Sequence, residues 1–172
     1  AFNARSWSRR DIEVLCRKLA LGDRIGVTTL FTPMKSSGSL RVGLANILEP
    51  SNEDVFSEDV PLTTLDNLLQ SECLESVDLV KMDVEGAESL VLSGAEHVFN
   101  DLRPVWFVEV DDDRAIAFGE SANGLFKFFF EGGYRAFIIN DKGQLLEVSA
   151  PFATADYLFV HHQSELLKTI ET

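Results

Sequence analysis

Val77-Asp78-Leu79-Val80-Lys81-Met82-Asp83-Val84-Glu85-Gly86-Ala87-Glu88 is the stretch on which the fold turns. An apolar run over 77–82 ends in two carboxylates and a glycine, and a periodic segment follows at once. Ala87, Leu90, Val91, Gly94, Ala95, Val98 and Phe99 recur at steps of three and four, the spacing of one helix face, until Arg103-Pro104 ends the pattern. Val105-Trp106-Phe107-Val108-Glu109-Val110 is then almost continuously apolar, as a parallel strand covered on both faces would be. Strand, amphipathic helix and strand in that order predict a parallel pair joined by a crossover helix over 87–99.

Working upstream, alternation over 12–19 predicts a strand running toward Leu21-Gly22-Asp23, and 27–31 predicts a second, stopped by Thr32-Pro33. Residues 35–39 and 50–59 read as polar connections. Thr63 is placed to cap a helix with Asp66 in its first turn and Leu65, Leu68, Leu69 and Cys73 along one face. Downstream, Ser121 or Asn123 caps a phenylalanine-rich helix that Gly132-Gly133 terminates. A strand over 135–139, the hairpin turn Asn140-Asp141-Lys142-Gly143 and a last strand over 157–160 complete the chain. The prediction is one α/β domain over 1–172, a doubly wound, mostly parallel sheet with a C-terminal antiparallel hairpin.

A formal net charge of −13 argues against nucleic acid, since phosphate binding needs clustered Lys and Arg. The only basic cluster is Arg5, Arg9, Arg10, Arg17 and Lys18. The longest apolar runs, such as 105–108 and 128–130, are too short to span a bilayer, and 1–10 carries three arginines with no apolar region after it. Cys16 and Cys73 read as small core fillers of a reduced, cytoplasmic protein rather than as a disulfide or metal site.

In sheets of this kind the ligand sits beyond the carboxyl ends of the strands. Two such ends are acidic, 82–86 and 108–113. Period-two alternation puts Leu79, Lys81 and Asp83 on one side of the first strand. A lysine in so apolar a strand needs a counter-charge, and Asp83 and Glu109 are the candidates. Gly86 would permit close approach of a ligand. A plainer reading, in which Asp83 and Glu85 only cap the next helix, fits the local pattern equally well. The acidic run 111–113 reads as a solvated loop, and Phe126, Phe128, Phe129 and Phe130 as core.

Taken together, Thr64-Leu65-Asp66-Asn67-Leu68-Leu69, the whole of 77–88, Gly94-Ala95 and Arg103-Pro104 resemble the FkbM-type methyltransferases. Ala20-Leu21-Gly22-Asp23, Gly26 and Asp156-Tyr157-Leu158-Phe159-Val160 are similar to that family too, so the resemblance runs from about Ile12 to near the end. It implies a Rossmann-like, class I methyltransferase fold with strands in the order three-two-one-four-five-seven-six. It also implies S-adenosylmethionine as cofactor and a hydroxyl acceptor on a sugar, polyketide or other secondary metabolite. The strand ending at Leu21-Gly22-Asp23 would be the third, near the adenine, and that ending at Asp83 the fourth, beside the sulfonium. Gly22, Asp23 and Asp83 are thus the expected cofactor contacts. Asp83 or Glu85 would take the acceptor's proton, with Lys81 orienting the carboxylate.

Members of that family carry a glycine-rich loop after the first strand and an acidic ribose-binding residue after the second. No such glycine motif stands before Ile12, so the sequence reads as a member lacking its N-terminal cofactor-binding strands. That would separate 12–19 from the main sheet and bare the edge of 77–82. Two rival readings remain: a magnesium-dependent phosphotransferase of the haloacid dehalogenase type, using Asp83, Glu85 and Asp111 to Asp113, and a non-catalytic α/β module.

Overall fold

The computed structural model describes residues 13–49, 54–152 and 154–170. A small sheet holds β1 (Ala20–Leu21), β2 (Gly26–Pro33) and β3 (Val55–Thr63) in the order β1-β3-β2, with β1 parallel and β2 antiparallel to β3. The larger sheet holds β4 (Leu79–Met82), β5 (Val105–Val110), β6 (Tyr134–Ile139), β7 (Leu145–Val148) and β8 (Ala155–His161) in the order β4-β5-β8-β6-β7. The helices are α1 (Leu65–Ser71), α2 (Glu88–Ser93), α3 (Asp112–Ala117), α4 (Ala122–Glu131) and α5 (Glu165–Ile170). No helix among the described residues is long and apolar enough to cross a membrane.

β4 and β5 are adjacent and parallel, Leu79 opposite Val105 and Met82 opposite Val108, as the sequence predicts. The expectation of a mostly parallel sheet is corrected. β8 runs antiparallel to both β5 and β6, and β7 runs antiparallel to β6. β5 and β6 therefore share a direction and leave a slot between them. The Asn140–Gly143 turn, with Gly143 at φ 76°, reverses the chain, and β8 returns to fill that slot. The architecture is α/β with mixed sheets, and β4 stands at an edge of the larger one.

Local expectations fail where burial was misjudged. Ile12 lies outside the described residues, 13–19 is irregular, and Val14 and Leu15 are exposed, so no core face rewards their alternation. Within 50–59 the described part is mostly strand, because β3 pairs with β2 from Val55 opposite Pro33 to Leu62 opposite Gly26. Asp59 and Pro61 occupy a wet face while Val60 and Leu62 point inward. The cap of α1 is Thr64 rather than Thr63; its hydroxyl accepts from the Asn67 amide. Cys16 and Cys73 are exposed, not core fillers. The acidic run 111–113 is no loop: Asp111 caps α3 and Asp112 accepts from the Ala122 amide.

The helix predicted over 87–99 stops at Gly94 and resumes as a π-helical turn, Val98–Leu102. A methyl group at Gly94 would collide with the Gly22 carbonyl oxygen and stand 3.0 Å from the Thr64 side chain. Three chain segments cross there, and only a glycine leaves them room. The periodic face still buries, with Val91, Ala95 and Val98 all at 1% exposure or less. They pack on Met82, Trp106, Val108, Tyr157 and Phe159 of the larger sheet, together with Phe126 and Phe129 of α4. Phe129 stacks on Phe159 with ring centroids 3.8 Å apart. The Trp106 indole donates to the Tyr134 hydroxyl, which donates to the Phe99 carbonyl, so neither buried polar group is orphaned. Leu167 of α5 joins Phe137 and Val160 to cover part of the opposite face. Strand register also sends Lys81, Phe107 and Leu158, followed by Glu109 and Asp156, to that opposite face.

Candidate functional site

Beyond the ends of β4 and β5 this outward row becomes a charged cluster. Lys81 Nζ lies 3.2 Å from Asp156 Oδ1 and 3.4 Å from Asp83 Oδ2, over the ring of Phe107. Its side chain is 40% exposed. Lys81 pairs with Asp83, one of the two counter-charges expected, and also with Asp156; the burial expected of it is corrected. β4 is an edge strand, which lets the ammonium reach water, and antiparallel β8 sets Asp156 opposite Glu109. Burial works against the ammonium, but Asp156 and Asp83 outweigh it and hold the Lys81 pKa above the ordinary lysine value.

Asp83 and Glu109 bear on each other through a carboxyl–carboxyl hydrogen bond. That bond, opposed by burial and aided by Lys81, holds Asp83 below the usual carboxylate range. The same bond, aided by burial, pushes Glu109 up.

Glu85 is held quite differently. It sits in a tight turn at φ 58°, followed by Gly86 at φ 100°, and ion-pairs closely with the Arg114 guanidinium. Arg114 also approaches Asp111 at 3.5 Å and Glu109 at 3.6 Å. Burial raises the Glu85 carboxyl, with Arg114 opposing. The close approach expected at Gly86 comes from the protein itself rather than from a ligand. A methyl group there would stand 2.6 Å from the Arg114 carbonyl oxygen. Glu88, 6% exposed, folds back to accept from the Gly86 amide at 3.2 Å, and burial pushes its carboxyl up.

On its other side Asp83 borders a hollow of about 300 Å³ between the small sheet and the turn after β4, lined by Leu21, Leu30, Asn46, Ile47 and Val84 among others. Asn46 pins the wall: its amide donates to the Glu85 carbonyl at 2.9 Å, and its oxygen accepts from the Leu48 amide. The structure thus brings Lys81, Asp83 and Glu85 together, and Asp83 alone of the three lines the hollow. Gly22 and Asp23 stand apart from it. The Gly22 amide donates to the Thr63 carbonyl, and Asp23 pairs with Arg24 at 2.8 Å.

Arg114, Asp156, Asn46 and Glu88 carry no role in the sequence reading. A signal existed for Arg114, the one cation directly after an acidic run. None existed for Asn46, whose contacts cross between sheets.

A carboxylate held below the usual range, at the carboxyl end of a strand and beside a hollow, is placed to accept a proton from a bound molecule. No curated protein and no solved structure matches this chain. The family model described as the methyltransferase FkbM domain matches residues 3–136, a span that includes β1 to β5 and every charged residue of the cluster except Asp156. The chain belongs to the FkbM methyltransferase family.

Proposed function

We propose that this chain transfers the methyl group of S-adenosylmethionine to a hydroxyl, with Asp83 as the base that takes the hydroxyl's proton. Family membership supports methyl transfer, and one observation supports the assignment of the base: the two carboxylates of the motif are held in different ways. Glu85 is committed to Arg114, whereas Asp83 is held below the usual carboxylate range and lines the hollow. Lys81 restrains the Asp83 carboxylate without burying it. The order β4-β5-β8-β6 fits the four-five-seven-six half of a class I methyltransferase sheet, which favours the Rossmann-like reading.

S-adenosylmethionine, when bound, supplies an electrophilic methyl: the oxygen–carbon bond forms as the sulfur–carbon bond breaks, and sulfur leaves with the bonding pair as a thioether. The residues present fit such a group, because the carboxylates of the cluster outnumber its cations and a sulfonium is positive. Asp83 would face the reacting end, and Gly22 and Asp23, following β1, remain the proposed contacts toward the adenine. The magnesium-dependent alternative is disfavoured by prior commitments. Glu85 is neutralised by Arg114, and Asp111 and Asp112 are spent on backbone amides.

Transfer of labelled methyl from millimolar S-adenosylmethionine to a panel of alcohols tests the proposal. Transfer that survives Asp83→Asn but is lost in Glu85→Gln would reverse the roles of the two carboxylates. Absence of transfer to every acceptor would remove the reading altogether.

A further inference from the structure

The hollow beside Asp83 has a lining that selects its occupant. Its walls come from separate parts of the fold: Leu21 of β1, Leu30 of β2, Ile47 of the following loop, and Val84 of the turn after β4. All of these side chains are apolar. Two polar side chains join them, Asn46 and Asp83, and Asn46 is held in place by the backbone. Both its amide and its oxygen are hydrogen-bonded to backbone, at Glu85 and Leu48. Asp83 is the one charged side chain of this lining.

We infer that the hollow takes the apolar body of an aromatic or aliphatic alcohol, with one hydroxyl at Asp83, and not a sugar. This rests on the methyltransferase reading for the meaning of the hydroxyl, but the preference follows from the lining. A sugar brings several hydroxyls, and each one buried against Leu, Ile or Val without a partner costs free energy. An apolar ring or chain forfeits nothing there and gains by leaving water. Sites that hold apolar ligands have this composition, mostly hydrophobic walls with few and well-placed polar groups.

The test is methyl-detected NMR titration of the 172-residue chain with 2-naphthol and with methyl α-glucopyranoside. The expected result is saturable shifts of the Leu21, Leu30, Ile47 and Val84 methyls with 2-naphthol, and none with the glucoside. Leu30→Gln, and independently Ile47→Gln, should weaken naphthol binding at least about five-fold, whereas Leu166→Gln on exposed α5 should not. Saturation of the same methyls by the glucoside, with naphthol inert, would overturn the inference. So would S-adenosylhomocysteine shifting these methyls and displacing naphthol, because the hollow would then belong to the cofactor. The two readings fail separately. Methyl transfer to the glucoside but not to naphthol sinks this inference and keeps the methyltransferase. Naphthol binding as described, with no transfer to any alcohol, keeps the ligand preference and sinks the methyltransferase.

Discussion

At the scale of single residues, the division of labour between Asp83 and Glu85 is the main consequence of the structure. Asp83→Asn removes the proposed base, and the transfer rate should fall by roughly 10²–10⁴. Glu85→Gln should act mainly on stability, since it leaves the half-buried Arg114 guanidinium without its closest partner; a loss of about 1–3 kcal/mol by urea denaturation is expected. The pH dependence follows from the direction of the Asp83 shift. A base must be ionised to work, and Asp83 is held below the ordinary carboxylate range, so activity should stay level on the acid side down past the usual aspartate pKa of about 3.9. Arg114 is one of the charges that lower Asp83. In Arg114→Gln the acid limb of the rate profile should therefore move to higher pH, while a limb that stays put would mean that Arg114 does not act on the base.

At the scale of elements, the turn from β4 into α2 carries the site and is fixed by contacts along its length. Gly86→Ala would place a methyl against the Arg114 carbonyl in a backbone region that L side chains rarely adopt. A destabilisation of roughly 1–3 kcal/mol, read as a drop in the urea midpoint, is expected. Glu88, at the start of α2, has the opposite character. Its folded pKa is raised by burial, so its contribution to stability is fully present below the unfolded pKa, where both states are protonated. That contribution is lost as pH rises through the folded value. Glu88→Gln keeps an oxygen for the Gly86 amide and removes the buried charge. The variant should melt at a higher temperature than the parent at neutral pH, and the gap should close as pH falls toward 4.5, the ordinary value for a glutamate. A gap independent of pH would show that the charge of Glu88 is immaterial.

At the scale of the whole molecule, one aromatic core couples the two halves of the larger sheet. Phe129 touches Trp106, Tyr134 and Phe159, which belong to three different strands. Phe129→Ala should cost about 3–5 kcal/mol and lower the midpoints seen by near- and far-ultraviolet circular dichroism together. If only the near-ultraviolet signal shifted, the core and the sheet would not be a single cooperative unit.

The sequence by itself determined β4, β5 and their parallel pairing, the buried face of α2, and both ends of α4. In each of these, period, cap or glycine acts over a few residues, and the partner is the next element along the chain. It also placed Lys81, Asp83 and Glu85 side by side, because they are neighbours in one motif. Tertiary structure alone decided the rest. That β8 slots antiparallel between β5 and β6 depends on open hydrogen-bonding edges made by strands well before it in the chain, and the same register brings Asp156 to Lys81. The break at Gly94 comes from a carbonyl at Gly22, and the wall of the hollow from Asn46 reaching the Glu85 carbonyl. Arg114 separates two carboxylates that look alike in the motif, because α3 folds back over Gly86. Charge and apolarity are local properties of a sequence, whereas which charge meets which depends on where the chain returns.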